Sequence, residues 1–197
     1  RLIDATTRVG YRMLSGWQKA RKVYFYAKFS RPVMSRAFRS GSEVYSGGDV
    51  ANGRNTKCYL SFGTSAEPLV VKVALSPVSV DNARQNMEAE NPGWDFEAIQ
   101  RQAVTAWEKE LANIRIDGSD DQKAIFYTGL YHAYIQPNTV SDVNGDYTRS
   151  DFSTDRLPQG DTQYSTFSLW DTFRACNPLY ALLKPERVGD MVKSMLR

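Results

Sequence analysis

Residues 167–174 (FSLWDTFR) combine side-chain types suited to holding a polyhydroxylated ring. The Trp170 indole offers a flat apolar face to ring C–H groups. Asp171, when ionised, only accepts, and can take hydrogen bonds from two neighbouring hydroxyls. Arg174 follows three residues on. If the helix is continuous it shares a face with Asp171, pairs with it and holds it ionised. The same residues suit a core tryptophan followed by a surface Asp–Arg pair at a helix start. Their surroundings favour a pocket: an apolar helix lies upstream, and Tyr147, Phe152, Tyr164 and Phe167 are near in sequence.

Hydrolysis of a glycosidic bond needs two carboxyl groups flanking it, one as acid and one as base or nucleophile. Asp142, Asp151, Asp155, Asp161 and Asp171 are available by type, and nothing in their spacing selects a pair. His132 is the single histidine. Zinc sites gather several N or S ligands, so His132 reads as a packing or hydrogen-bonding residue of a core helix. The run Asp142-Val143-Asn144-Gly145-Asp146 begins like a calcium loop. That loop requires glycine at its sixth position and a bidentate Glu at its twelfth, where this chain has Tyr147 and Ser153. A hairpin turn at Asn144-Gly145 explains these residues better; Asp142, just after a buried helix, is also placed to line a pocket mouth. The glycines between Gly41 and Gly53 lack phosphate-loop spacing and read as turns. Cys58 and Cys176 fit no metal motif; their apolar neighbours predict buried free thiols, with one disulfide left open.

The elements that must position these residues fall in two styles. Residues 22–30 alternate, with Val23, Phe25, Ala27 and Phe29 on one face and Tyr24, Tyr26 and Lys28 on the other. Residues 57–63 set Cys58, Leu60 and Phe62 together, and residues 69–75 do the same for Val71, Val73 and Leu75. Gly47-Gly48 and Asn52-Gly53 supply turns. Such strands need a facing sheet, which makes a β-sandwich the natural solution. After Pro77 the style becomes helical. Ser79 caps a helix to Glu90, and Asn91-Pro92-Gly93 breaks it. Asp95 caps a longer helix with a stripe of Phe96, Ile99, Ala103, Trp107, Leu111 and Ile114. Ser119 and Gln122 have capping-box spacing. The helix they open is apolar nearly all round, as expected of one buried on several sides. Pro137 ends it. A small hairpin over 140–147 and a polar loop over 148–163 follow. Helices resume near Ser165, and the last begins at Pro185 with Val188, Met191, Val192 and Met195 facing inward.

Composition is that of a globular protein, 42% hydrophobic and 24% charged over 197 residues. The net charge of +3 is dispersed, which argues against nucleic acid as a partner. No apolar run approaches the roughly 18 residues of a membrane span. Arg1 at the start and an apolar helical pattern still running at Leu196 lead us to expect a piece of a longer protein.

Three segments carry a family resemblance: 166–174 (TFSLWDTFR), 131–147 (YHAYIQPNTVSDVNGDY) and 78–94 (VSVDNARQNMEAENPGW). With 23–32 (VYFYAKFSRP), they resemble glycoside hydrolase family 92 in order and over nearly the whole chain. The resemblance implies an exo-acting, Ca²⁺-dependent α-mannosidase that inverts the anomeric centre, with α-1,2-type linkages the expected target. It implies a multi-domain β + α fold. Residues 1–77 would be the C-terminal part of an N-terminal β-sandwich, 78–118 a helical linker, and 119–197 the start of an (α/α)6 catalytic barrel. By position in the WDTFR motif, Trp170 and Asp171 correspond to residues lining the subsite for the terminal mannose. The family's acid, base and main calcium ligands are expected beyond Arg197. The chain alone is therefore expected to contain no catalytic residue and to be inactive. The implied partners are a mannose-containing glycan and the remainder of the catalytic domain; the implied location is secreted, periplasmic or cell-surface. Two other readings stand beside it: a non-catalytic carbohydrate-binding or scaffold protein that keeps the sandwich, and a glycosidase of different sugar specificity on the same plan.

Overall fold

Backbone alternation and helix capping are local effects, and they set most of the elements. The computed structural model describes residues 1–16, 21–165 and 167–197, with only the backbone of Tyr45 and Ser46; Thr166 of the WDTFR segment lies outside the described residues. The chain forms two units, one of residues 1–94 with 142–144 and one of residues 95–141 with 145–197.

In the first unit the strands are β1 (Leu2–Asp4), β2 (Thr7–Leu14), β3 (Arg21–Phe29), β4 (Ser35–Ser40), β5 (Glu43–Ser46), β6 (Lys57–Ser61) and β7 (Val71–Ser76), followed by helix α1 (Val80–Glu90). They build two antiparallel sheets, ordered β1-β2-β3-β7 and β5-β4-β6. Ala27 and Phe29 of β3 are buried, as the alternation predicts, and the Phe29 ring lies 5.0 Å from that of Phe62. Val71, Val73 and Leu75 share a face but stay exposed, Val73 at 59%. The buried face of β7 is the polar one, carrying Lys72 and Ser76, because α1 packs there. Cys58 is a free, exposed thiol, which corrects its predicted burial: β6 is an edge strand on which only Leu60 is partly shielded. Cys176, also free, is half-buried.

The Ser79 hydroxyl caps α1 by accepting from Asn82 N at 3.0 Å. At the other end, the Lys72 Nζ donates to the carbonyls of Asn91, Pro92 and Gly93 at 2.8, 3.0 and 3.0 Å. It also stands 4.5 Å from the centre of the Trp94 ring. An ammonium has three protons, and all three are used. Lys72 is 7% exposed, and burial pulls its pKa below the usual lysine value.

The second unit holds α2 (Phe96–Leu111) and α3 (Asp120–Tyr134), then β8 (Asn138–Thr139), β9 (Asp146–Thr148), β10 (Thr154–Arg156) and β11 (Tyr164–Ser165), then α4 (Leu169–Thr172), α5 (Cys176–Leu183) and α6 (Pro185–Leu196). Asp95 caps α2 by accepting from Ala98 N at 2.9 Å, and Ser119 and Gln122 form the predicted capping box. Pro185 opens α6. The predicted hairpin over 140–147 does not form. Asn144-Gly145 is a turn, with Gly145 at φ +85°, but Asp146–Thr148 pairs with Thr154–Arg156 and Asn138–Thr139 with Tyr164–Ser165. The stretch expected as a loop over 148–163 thus contains one strand of that hairpin.

Helix α3 is not buried all round. Trp107 of α2 covers Tyr131, with ring centres 4.5 Å apart, and Tyr180 of α5 reaches the Ala133 carbonyl. The Ile125 flank has no cover among the described residues, and Leu130 alone on this helix is buried. His132 is likewise exposed rather than a core histidine. No helix among the described residues is long and apolar enough to cross a membrane.

Candidate functional site

Ser168 is the N-cap residue of α4, a single turn. The turn closes through Asp171 N donating to Ser168 O at 3.0 Å, and Thr172 Oγ1 donates to the same carbonyl at 3.1 Å. The Ser168 hydroxyl donates to Asp171 Oδ2 in a short hydrogen bond. Trp170 is 77% exposed and Asp171 is exposed beside it. An indole face and a carboxylate with unused lone pairs thus stand side by side on one turn, open to a ligand.

The predicted Asp171–Arg174 pair is absent. Helix α4 ends at Thr172, so Arg174 does not reach the i+3 position of a continuous helix. Ala175 then takes φ +67° before α5 begins. A residue with a Cβ in that region costs on the order of 1–3 kcal/mol. The break separates the Trp170 turn from the helix behind it.

Under α4 lies an apolar cavity of about 180 Å³, lined by Phe167, Leu169, Thr172, Val188, Met191 and Met195 among others. A second cavity of about 230 Å³ is lined in part by Trp107, Glu110, Tyr134, Tyr164, Lys184 and Arg187. Gln136, Pro137, Tyr180 and Met191 border both. Tyr180 Oη sits 2.6 Å from Ala133 O and 2.7 Å from Gln136 O, sharing its one proton between them. Burial pushes its pKa well above the usual phenol value, and the hydrogen-bonded Cys176 thiol adds to the shift.

The remaining predicted carboxylates are each engaged. Asp142 is 7% exposed, and it does not line a pocket mouth. Its Oδ2 accepts from Ser76 Oγ at 2.7 Å and Asn82 Nδ2 at 2.8 Å, and its Oδ1 from Asn86 Nδ2 at 2.7 Å. Asp151 accepts from the Ser153 hydroxyl and backbone, which lower its pKa. Asp155 pairs with Arg149 at 3.1 Å. Asp161 is held ionised by Lys193 and then Arg197. A general acid needs a carboxyl whose pKa is pushed up. Asp151 and Asp161 are shifted the other way, downward, by the donors that hold them. The calcium implied by the resemblance finds no ligand set among the described residues. Among the described residues no three His, Cys, Asp or Glu side chains gather, and both Asp142 oxygens are already taken by protein donors.

Sequence reasoning missed one cluster. Glu110 Oε2 pairs with Lys184 Nζ at 2.5 Å, and its Oε1 accepts from Arg187 Nη2 at 2.8 Å. The Lys184 hydrogen bond, seconded by the Arg187 charge, holds Glu110 below the usual carboxylate pKa. The available signal was spacing: Glu110 stands three residues after Trp107 of the apolar stripe, hence on the packed side of α2.

The chain matches the glycosyl hydrolase family 92 N-terminal domain over residues 1–76 and the family's catalytic domain over residues 82–197. It belongs to glycosyl hydrolase family 92. Within that family, it superposes on a solved GH92 α-mannosidase from Bacteroides thetaiotaomicron with a TM-score of 0.90 and 33% identity, covering 100% of this chain and 27% of that one. The same enzyme has been solved in complex with mannoimidazole, with a TM-score of 0.89. A GH92 inverting mannosidase from Bacteroides thetaiotaomicron VPI-5482 gives a TM-score of 0.85 at 27% identity, covering 96% of this chain and 26% of that one. An uncharacterized secreted glycosidase of Arthroderma benhamiae is 32% identical over 94 residues, 44% of this chain and 12% of that protein. The chain therefore spans about a quarter of the solved GH92 structures. As a family 92 chain it has the expected order, β domain first and the helical start of the catalytic domain after it.

Proposed function

We propose that this chain is part of an exo-acting α-mannosidase that cleaves mannose from glycans with inversion, α-1,2 linkages being its preferred target. The full-chain match at a TM-score of 0.90 to a GH92 α-mannosidase carries the reading. The mannoimidazole complex of that relative supports mannose as the sugar recognised, and the secreted fungal relative supports a secreted or cell-surface location. In this reading Trp170 stacks on the terminal mannose and Asp171 accepts from its hydroxyls. The helices of the second unit are the first of an (α/α)6 barrel. Inversion requires acid and base carboxyls about 6.5–9.5 Å apart with a water between. Those two groups, and the ligands of the calcium ion, belong to the full-length protein outside this chain, which by itself turns nothing over.

The test is hydrolysis of α-1,2-mannobiose by the full-length protein, followed by NMR of the first product anomer. Release of β-mannose ahead of its α form is the expected result, with loss of activity in EDTA. Retention of the α configuration, or turnover by the isolated chain, overturns the reading.

A further inference from the structure

We propose that Ser168 is a positioning residue for sugar binding: its hydroxyl sets the Asp171 carboxylate in the orientation in which that carboxylate accepts from mannose hydroxyls. The sugar-binding role of Asp171 is the reading given above, and this inference rests on it.

An N-cap serine ordinarily spends its hydroxyl on the helix, accepting from a backbone N–H two or three residues ahead. Ser168 makes no such bond. The turn is closed instead by the Ser168 carbonyl, which accepts from Asp171 N at 3.0 Å, from Thr172 N at 3.1 Å and from Thr172 Oγ1 at 3.1 Å. The hydroxyl is left to donate to Asp171 Oδ2. Among the described residues it is the one side-chain hydrogen-bond partner of Asp171, and Arg174 lies beyond the end of α4. An exposed aspartate on a single turn, with the backbone break at Ala175 behind it, would otherwise rotate freely about its side-chain torsions. A charge-assisted hydrogen bond to one oxygen fixes the carboxylate plane before the ligand arrives. An ionised carboxylate offers about four lone-pair sites. Ser168 uses one, and the rest serve two neighbouring hydroxyls of a pyranose. Ordering a side chain in advance removes that cost from binding, worth roughly two- to tenfold in affinity.

The experiment is calorimetric titration of the full-length protein with methyl α-mannoside, on wild type, Ser168→Ala, Ser168→Thr, Asp171→Ala and the double variant Ser168→Ala with Asp171→Ala, with thermal melts of each. Ser168→Ala weakens binding about fivefold. It leaves the melting temperature in place, because the bonds that close the turn run to the Ser168 carbonyl, which alanine keeps. Ser168→Thr retains the hydroxyl and binds as wild type does; Ser168 borders the apolar cavity under α4, which has room for the added methyl. The deciding comparison is the double variant. A residue that acts only through Asp171 adds nothing once Asp171 is gone, so the double variant binds as Asp171→Ala does. Unchanged affinity in Ser168→Ala, a further fivefold loss in the double variant, Ser168→Thr as weak as Ser168→Ala, or a lowered melting temperature for Ser168→Ala overturns the proposal and leaves the reading above intact. A wild type that binds the mannoside without hydrolysing mannobiose removes the activity proposed above and leaves Ser168 to the same comparison. A wild type that binds no mannoside overturns both.

Discussion

Asn86 Nδ2 donates to Asp142 Oδ1 at 2.7 Å across 56 positions of sequence. The bond runs both ways in effect, because Asn86 Oδ1 accepts from Val143 N at 2.9 Å. It brings residues 142–144 into the unit formed by 1–94, although the segments on either side belong to the other unit. Two of the segments that carry the family resemblance, 78–94 and 131–147, thus meet at one buried carboxylate.

Replacing that carboxylate removes an acceptor shared by three side chains. Asp142→Ala takes one hydrogen bond each from Ser76, Asn82 and Asn86 in a buried setting, and we expect a loss of about 3 kcal/mol in urea denaturation. The exposed Asp151→Ala serves as the comparison and should change stability by roughly 0.5 kcal/mol or less. Equal effects at the two positions would show that the Asp142 network contributes nothing special.

Ala175 holds φ +67° between α4 and α5. Glycine adopts positive φ without the Cβ clash. Ala175→Gly should therefore raise the unfolding free energy by about 1 kcal/mol, read as a higher denaturation midpoint, despite removing a methyl group. An unchanged or lowered midpoint would mean the turn is unstrained.

Glu110 gives an acid-sensitive contribution. Its folded pKa lies below the ordinary value of 4.5, chiefly through Lys184. The sign follows from linkage: the unfolded carboxylate binds protons first, so the stabilisation is complete above about pH 5 and is lost as pH falls through 4.5 towards the lower folded value. Melting temperature measured against pH should drop less steeply for Glu110→Gln than for wild type over that window. Parallel curves would remove Glu110 from the acid response.

Trp170 and Asp171 are exposed, so substitution there should spare the fold. In the full-length protein, Trp170→Ala and Asp171→Asn are each expected to weaken mannose binding about tenfold, Asp171 through hydrogen bonds to a charged acceptor. Thermal melts should match wild type. Unaltered affinity for both variants would leave the turn without a role in binding sugar.

What the sequence revealed and what it hid divide by range. Ser79, Asp95 and Ser119 were readable as caps because a cap bonds three residues ahead. The faces of β3 and β7 were readable because strands have a period of two. The hairpin over 140–147 failed because partners more than 50 residues away claim Asp142 and Val143. Cys58 and His132 were misjudged for a related reason: apolar neighbours in sequence do not say which side of an element is covered. The Asp171–Arg174 pair failed because α4 is a single turn that ends at Thr172, before Arg174. For the site itself, the WDTFR motif pointed to Trp170 and Asp171, which the structure leaves exposed side by side. The Glu110 cluster needed α2 and α6 to be brought together.

Lys72 has a consequence for what this fold can tolerate. Three carbonyls and an indole face surround its ammonium much as a coordination shell surrounds a monovalent ion, here one tethered to the protein by four methylenes. Arginine, equal in charge, presents a planar fork rather than a tripod and fits such a shell poorly. The Asn91-Pro92-Gly93-Trp94 corner is therefore selective for the shape of its cation as well as for its sign.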